Sequence, residues 1–130
     1  MKRKSFVVLV LLLVGGLLPV LAQSMPYDSA KVREVMQTNL AQLRALGPAL
    51  QADNFQAAGA AFLQLAQDSQ SLMAMSPPKG DKAEWERING ALVRAALEGA
   101  MACLDENKEA ANAAMNDIVA QRNAGHATFR

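Results

Sequence analysis

The chain has 130 residues, with a single histidine, a single cysteine and seven methionines. His126 is the only imidazole, so histidine ligation of a metal falls to it alone. Arg122, His126 and Arg130 stand four apart, which places them on one face if the segment is helical. An imidazole flanked by two guanidinium groups suits a site that binds an anion beside a metal-ligating nitrogen. Methionine sulfur is a soft, neutral metal ligand. Met36 lies on the stripe Val32, Val35, Met36, Leu40, Leu43, Leu46. Cys103 has no second cysteine, so it forms neither an internal disulfide nor a paired-thiolate zinc site. A buried apolar place on a helix, a bridge between two chains and a reactive thiol are its three readings, the first being the common fate of a free cysteine.

These residues have to be positioned by helices. Beyond residue 22 the chain is rich in Ala, Leu, Gln, Met and Glu and poor in β-branched and aromatic residues, a helix-forming composition. Breakers at Gly47-Pro48, Ser76 to Asp81, and Asp105-Glu106-Asn107 divide it into four pieces. The first helix is expected from about Asp28 to Leu46, stopped by Gly47-Pro48. The second runs from about Asn54 to Met73 behind an Asp53 or Asn54 cap, with Phe55, Phe62, Leu65, Ala66, Leu72 and Met73 inward. The third starts near Asp81 or Lys82 and carries the stripe Trp85, Ile88, Leu92, Ala95, Ala96, Gly99 and Cys103. The fourth runs from about Lys108 to Phe129, with Ala111, Met115, Ile118, Val119, Arg122, His126 and Phe129 on a connected face. Similar lengths and short links predict an all-α, antiparallel, up-down-up-down four-helix bundle occupying residues 23–130.

In that topology the start of the first helix and the end of the fourth share one end of the bundle. Met36, about two turns into one, and His126, about one turn from the end of the other, then reach depths within ~6 Å along the axis. A thioether and an imidazole opposed across an apolar core are the axial pair of a low-spin electron-transfer haem. A methionine on an apolar stripe also packs as plain core, and a histidine near a chain end is also an ordinary solvated residue. Spacing alone leaves a haem site and a purely structural bundle both open.

The C-terminal run Arg122-Asn123-Ala124-Gly125-His126-Ala127-Thr128-Phe129-Arg130 resembles the end of the cytochrome b562 family, whose pattern is Arg-Asn-Ala-x-His followed by an aromatic-Arg ending. Met36-Gln37-Thr38, with Leu43 seven residues after the methionine, resembles that family's ligand-bearing segment. Ser76-Pro77-Pro78-Lys79 before an acidic helix start resembles its middle link. The resemblance implies Met36 and His126 as axial ligands of one non-covalent haem b per chain. The more distant cytochrome c-prime proteins attach haem through Cys-x-x-Cys-His, and here Arg122 and Gly125 stand where those cysteines would be, so no thioether link to haem can form. Packing adds Leu40, Leu43, Phe62, Leu65, Trp85 and Ile88 as candidate haem walls, Trp85 standing where the resembling family has an aromatic near the haem. Arg122 and Arg130 are candidates for the haem propionates. Gly125 departs from the family's larger residue; it either loosens the last turn or admits the haem edge more closely.

Lys2, Arg3 and Lys4 precede an apolar run to Val20, and Pro19-Val20-Leu21-Ala22 reads as a cleavage site after Ala22, the pattern of a secretory signal peptide over residues 1–22. Three of the 13 Lys and Arg belong to that segment, leaving ten against 12 acids and a net charge of −2 for the remainder. No basic patch interleaved with aromatics argues for nucleic acid. The expected protein is a periplasmic electron carrier, not an enzyme, with no membrane association after cleavage, monomeric by default, and meeting redox proteins transiently. Two other classes fit the helices: a haem-free binding or chaperone-like bundle using its methionines, and a five-coordinate gas-binding haem protein with Met36 unligated.

Overall fold

The structure is a computed structural model that describes residues 25–130. The signal peptide and cleavage site expected at residues 1–22 lie outside the described residues. Four helices pack together: α1 (Ser29–Gln51), α2 (Phe55–Met73), α3 (Lys82–Leu104) and α4 (Lys108–Phe129). Among the described residues there is no strand, only an isolated bridge between Met25 and Met75. No helix among them is long and apolar enough to cross a membrane.

Each helix starts on an Asp or Asn whose side-chain oxygen accepts from free N–H groups of the first turn. Asp28 Oδ1 accepts from Ala30 at 3.0 Å and Lys31 at 3.1 Å. Asn54 serves Ala57, Asp81 serves Ala83, and Asn107 serves Ala110. The two tight links share one geometry. Asp53 (φ 55°) and Glu106 (φ 53°) take the left-handed conformation, and the following Asn caps the next helix. Lys108 joins the links, donating to Asp53 Oδ1 at 2.9 Å and to the Gln51 carbonyl at 3.4 Å.

One boundary differs from the sequence expectation. Gly47-Pro48 does not stop α1, which runs one further turn to Gln51. Proline inside a helix removes a hydrogen bond and costs about 3 kcal/mol. Here the acceptor it orphans is the carbonyl of Arg44, on an exposed residue that water can serve. The extra turn buries Leu50, and Leu46 is wholly buried just before it. Each such burial contributes roughly 1.5–3 kcal/mol, enough to offset the proline.

Packing is closest between α2 and α3 and between α3 and α4, and α1 lies against α2; α1 and α4 meet only sparsely. The core has two parts. Toward the tight links it is built from small residues with a few large ones set among them, including Ala58, Ala96, Ala100, Ala111 and Ala114 around Leu46, Leu50 and Phe62. Gly99 makes room for Phe62; a Cβ there would sit 2.4 Å from the Phe62 Cε1 atom. At the other end Val35, Leu72, Trp85, Ile88 and Phe129 form a second cluster, with Val32, Met36 and Leu92 packed against it. That end gathers the start of α1, the end of α2, the start of α3 and the end of α4. Met25 pairs with the backbone of Ala74 and Ser76, Trp85 Nε1 donates to the Leu72 carbonyl at 2.8 Å, and Trp85 meets Phe129 edge to face with centroids 5.1 Å apart. Alanines draw three helices together at one end, and large side chains from all four fill the other. Val119, expected inward, is 40% exposed.

Candidate cofactor-binding site

The gap between α1 and α4 opens into a cavity of about 380 Å³, within the roughly 300–1,000 Å³ usual for small-molecule sites. α1 contributes Val32, Met36, Leu40 and Leu43, successive turns of one face. α4 contributes Ile118, Arg122, His126 and Phe129, again about a turn apart. Leu65 and Leu72 of α2 and Trp85, Ile88 and Leu92 of α3 close the back. Met36 and His126, identified from axial depth, therefore line one cavity from the two helices that flank its gap. Leu40, Leu43, Leu65, Trp85, Ile88, Arg122 and Arg130 line the same cavity.

Phe62 does not. It is fully buried in the alanine-rich half of the core against Gly99, and is withdrawn as a cavity wall. Leu65, one turn along α2, does line it. Cys103 is also in that half, 4% exposed beside Gly59, and burial pushes its thiol up from the ordinary value.

His126 is half-buried in the cavity wall. Desolvation first, then the positive charges of Arg122 and Arg130, hold its pKa below the usual imidazole value of 6.5. At neutral pH the ring is uncharged and keeps a lone pair for a metal. The lowered value also sets a pH dependence of stability. Between the lowered folded value and 6.5, the unfolded chain binds a proton that the folded chain refuses, so stability is present above 6.5 and lost as pH falls through that window. Urea midpoints measured from pH 7 to pH 5 are expected to fall more steeply for the native chain than for His126→Gln; equal slopes would rule the effect out.

The turn that carries His126 is tied down from several sides. Phe129 is 8% exposed, seated against Trp85. Gly80, at φ 80°, passes so close that a Cβ there would lie 3.3 Å from the Phe129 ring. Lys79 Nζ donates to the main-chain oxygen of Arg130. Gly125 leaves α4 unbroken and lies beside Ile88, where a Cβ would stand 3.4 Å from Cγ2. The glycine therefore neither breaks the last turn nor leaves a hole at the α3 contact.

The sequence reading missed the polar groups in the wall. Ser69 and Asn89 are 2% and 4% exposed, and both line the cavity. Asn89 Nδ2 donates back to the Trp85 carbonyl at 3.0 Å. Asn39 also lines it, and its Oδ1 is buried without a partner. An orphaned buried acceptor costs about 1–3 kcal/mol until something meets it. Asn39 follows Met36 by three and Asn89 follows Trp85 by four, so their spacing on cavity-facing turns was the available signal. Arg33 of α1 was missed as well, and it too lines the cavity.

No protein-family model, characterised protein or solved structure matches this chain. No group of three or more His, Cys, Asp and Glu able to hold a bare metal ion occurs among the described residues. One imidazole and one thioether do share a largely apolar cavity whose charged lining residues are arginines. That donor set fits an iron porphyrin, in which four nitrogens come with the cofactor and the protein supplies one or two axial ligands.

Proposed function

We propose that the chain is a b-type cytochrome resembling the cytochrome b562 family: an exported, antiparallel, up-down-up-down bundle that binds one non-covalent haem b and carries single electrons in the periplasm. The observation that carries the reading is the placement of Met36 and His126 in the walls of one apolar cavity, on the two helices that meet least closely.

His126 would hold iron through its neutral imidazole. Met36 would hold it from α1 through a neutral sulfur, which favours the reduced state over a second nitrogen ligand. Leu40, Leu43, Leu65, Trp85 and Ile88 keep water from the site and orient a flat apolar ligand. Arg122 and Arg130 direct the carboxylates of that ligand toward the rim. When bound, the haem supplies a one-electron iron couple. With His126 and Met36 both holding the iron there would be no open site for substrate, so the protein would be a carrier and not an enzyme. Its partners would be redox proteins in brief encounters, with the carrier acting as a monomer.

The test is the absorption spectrum of the purified full chain after haem addition. A sharp reduced α-band that carbon monoxide does not move is the expected result. Ready carbon monoxide binding by the native protein would replace this reading with the gas-binding one. Absence of any Soret band at one equivalent would remove haem altogether.

A further inference from the structure

The cavity lining has an unequal charge. Of the ten Lys and Arg that follow residue 22, three line it: Arg33 from α1, and Arg122 and Arg130 from α4. None of the 12 Asp and Glu does. The segment after residue 22 is net negative, so this is a local reversal of its overall charge. Elsewhere the cations tend to be paired: Lys31 with Glu34, Lys82 with Glu86, Arg87 with Glu84 and Lys108 with Asp53. The guanidinium groups of Arg33, Arg122 and Arg130 form no ion pair among the described residues. Three unpaired guanidinium groups around one apolar space raise the field there and remain available to a ligand anion.

Arg33 is the informative member. It precedes Met36 by three, so it stands about 4.5 Å nearer the start of α1 on a neighbouring part of the same helix surface. Arg122 and Arg130 lie one turn to either side of His126. The cationic groups therefore come from both helices that flank the gap, and those helices touch each other sparsely.

We infer that Arg33 is an anion-binding residue of this site, and that with Arg122 and Arg130 it makes the cavity select a planar apolar ligand bearing two free carboxylates over the same ligand with its carboxylates masked. Arginine on α1 and arginine on α4 each meet ligand carboxylate, so the bound anion links the two helices that the protein itself leaves nearly unlinked. The inference rests on the proposal that the cavity takes a porphyrin.

The experiment compares binding of haem and of haem dimethyl ester to the full chain and to its Arg33→Gln and Arg33→Glu variants, at low and high salt. Circular dichroism of each variant checks that the helices are retained. Haem is expected to bind the native chain more tightly than the ester, with added salt narrowing the difference. Arg33→Gln is expected to weaken haem by roughly fivefold, as for one charge-assisted contact at a partly exposed site. Arg33→Glu should weaken it further, and neither change should alter the ester's affinity. Haem bound equally well by all three chains would overturn the role of Arg33 while leaving haem binding standing. Equal loss for haem and ester would show that Arg33 matters only to packing. Failure of the native chain to bind either porphyrin would overturn the parent reading instead.

Discussion

Replacing His126 with alanine is expected to reduce haem affinity by more than roughly 100-fold, beyond the 10–100-fold that follows loss of a group merely supporting a metal ligand. The chain has no second histidine to substitute. Cys103, the one thiol, is buried in the other half of the core and outside the cavity. The arginines beside the site offer donors and no acceptor lone pair, so they cannot ligate. The imidazole suits the task because burial and two neighbouring positive charges keep it neutral. The fold should survive the change, since Phe129 and Trp85 anchor the last turn without it. Titration of the variant with haem, followed at the Soret band, gives the affinity, and urea unfolding without haem gives the stability. An unchanged affinity and an unchanged low-spin spectrum would remove His126 from the iron. Because a ligand that binds only the folded state stabilises it by mass action, the native chain should also gain thermal stability on haem addition and the variant should not.

The helices were legible where local chemistry sets them. Asn54, Asp81 and Asn107 mark helix starts because their side chains answer unpaired N–H groups a few residues away. The end of α1 was not legible, because Gly47-Pro48 is a local signal while the burial of Leu46 and Leu50 against other helices is not local. Met36 and His126 could be matched from sequence because axial depth follows from helix rise and chain order alone. The direction each wall residue faces could not be. Phe62 and Leu65 stand three apart on one apolar stripe, yet Phe62 fills the space left by Gly99 and Leu65 faces the cavity. Both belong to the alanine-rich cluster; which of them also reaches the cavity depends on where the opposing helix carries a small residue, and one stripe does not contain that information. Ser69, Asn39 and Asn89 escaped for a related reason: a polar residue on a hydrophobic face lowers the pattern score, although it is the very feature that distinguishes a ligand site from plain core.

Met36 is best tested by a change that keeps its volume. Leucine in its place preserves the packing against the second core cluster, so stability without haem should fall by less than about 1.5 kcal/mol. Alanine would also remove part of the wall and mix two effects. The leucine variant lacks only the sulfur. It is expected to retain haem through His126 while losing the sixth ligand, so that carbon monoxide binds where the native protein excludes it. Its reduction potential should fall, because the thioether that favours reduced iron is gone. Carbon monoxide difference spectra and a redox titration read these two consequences independently of stability. If Met36→Leu gives the native spectrum and potential, the methionine is only core and some other group, or none, completes the iron. If the native chain already binds carbon monoxide and the variant is no different, Met36 lines the cavity without ligating, and the sparse contact between α1 and α4 serves entry of a small molecule instead of electron transfer.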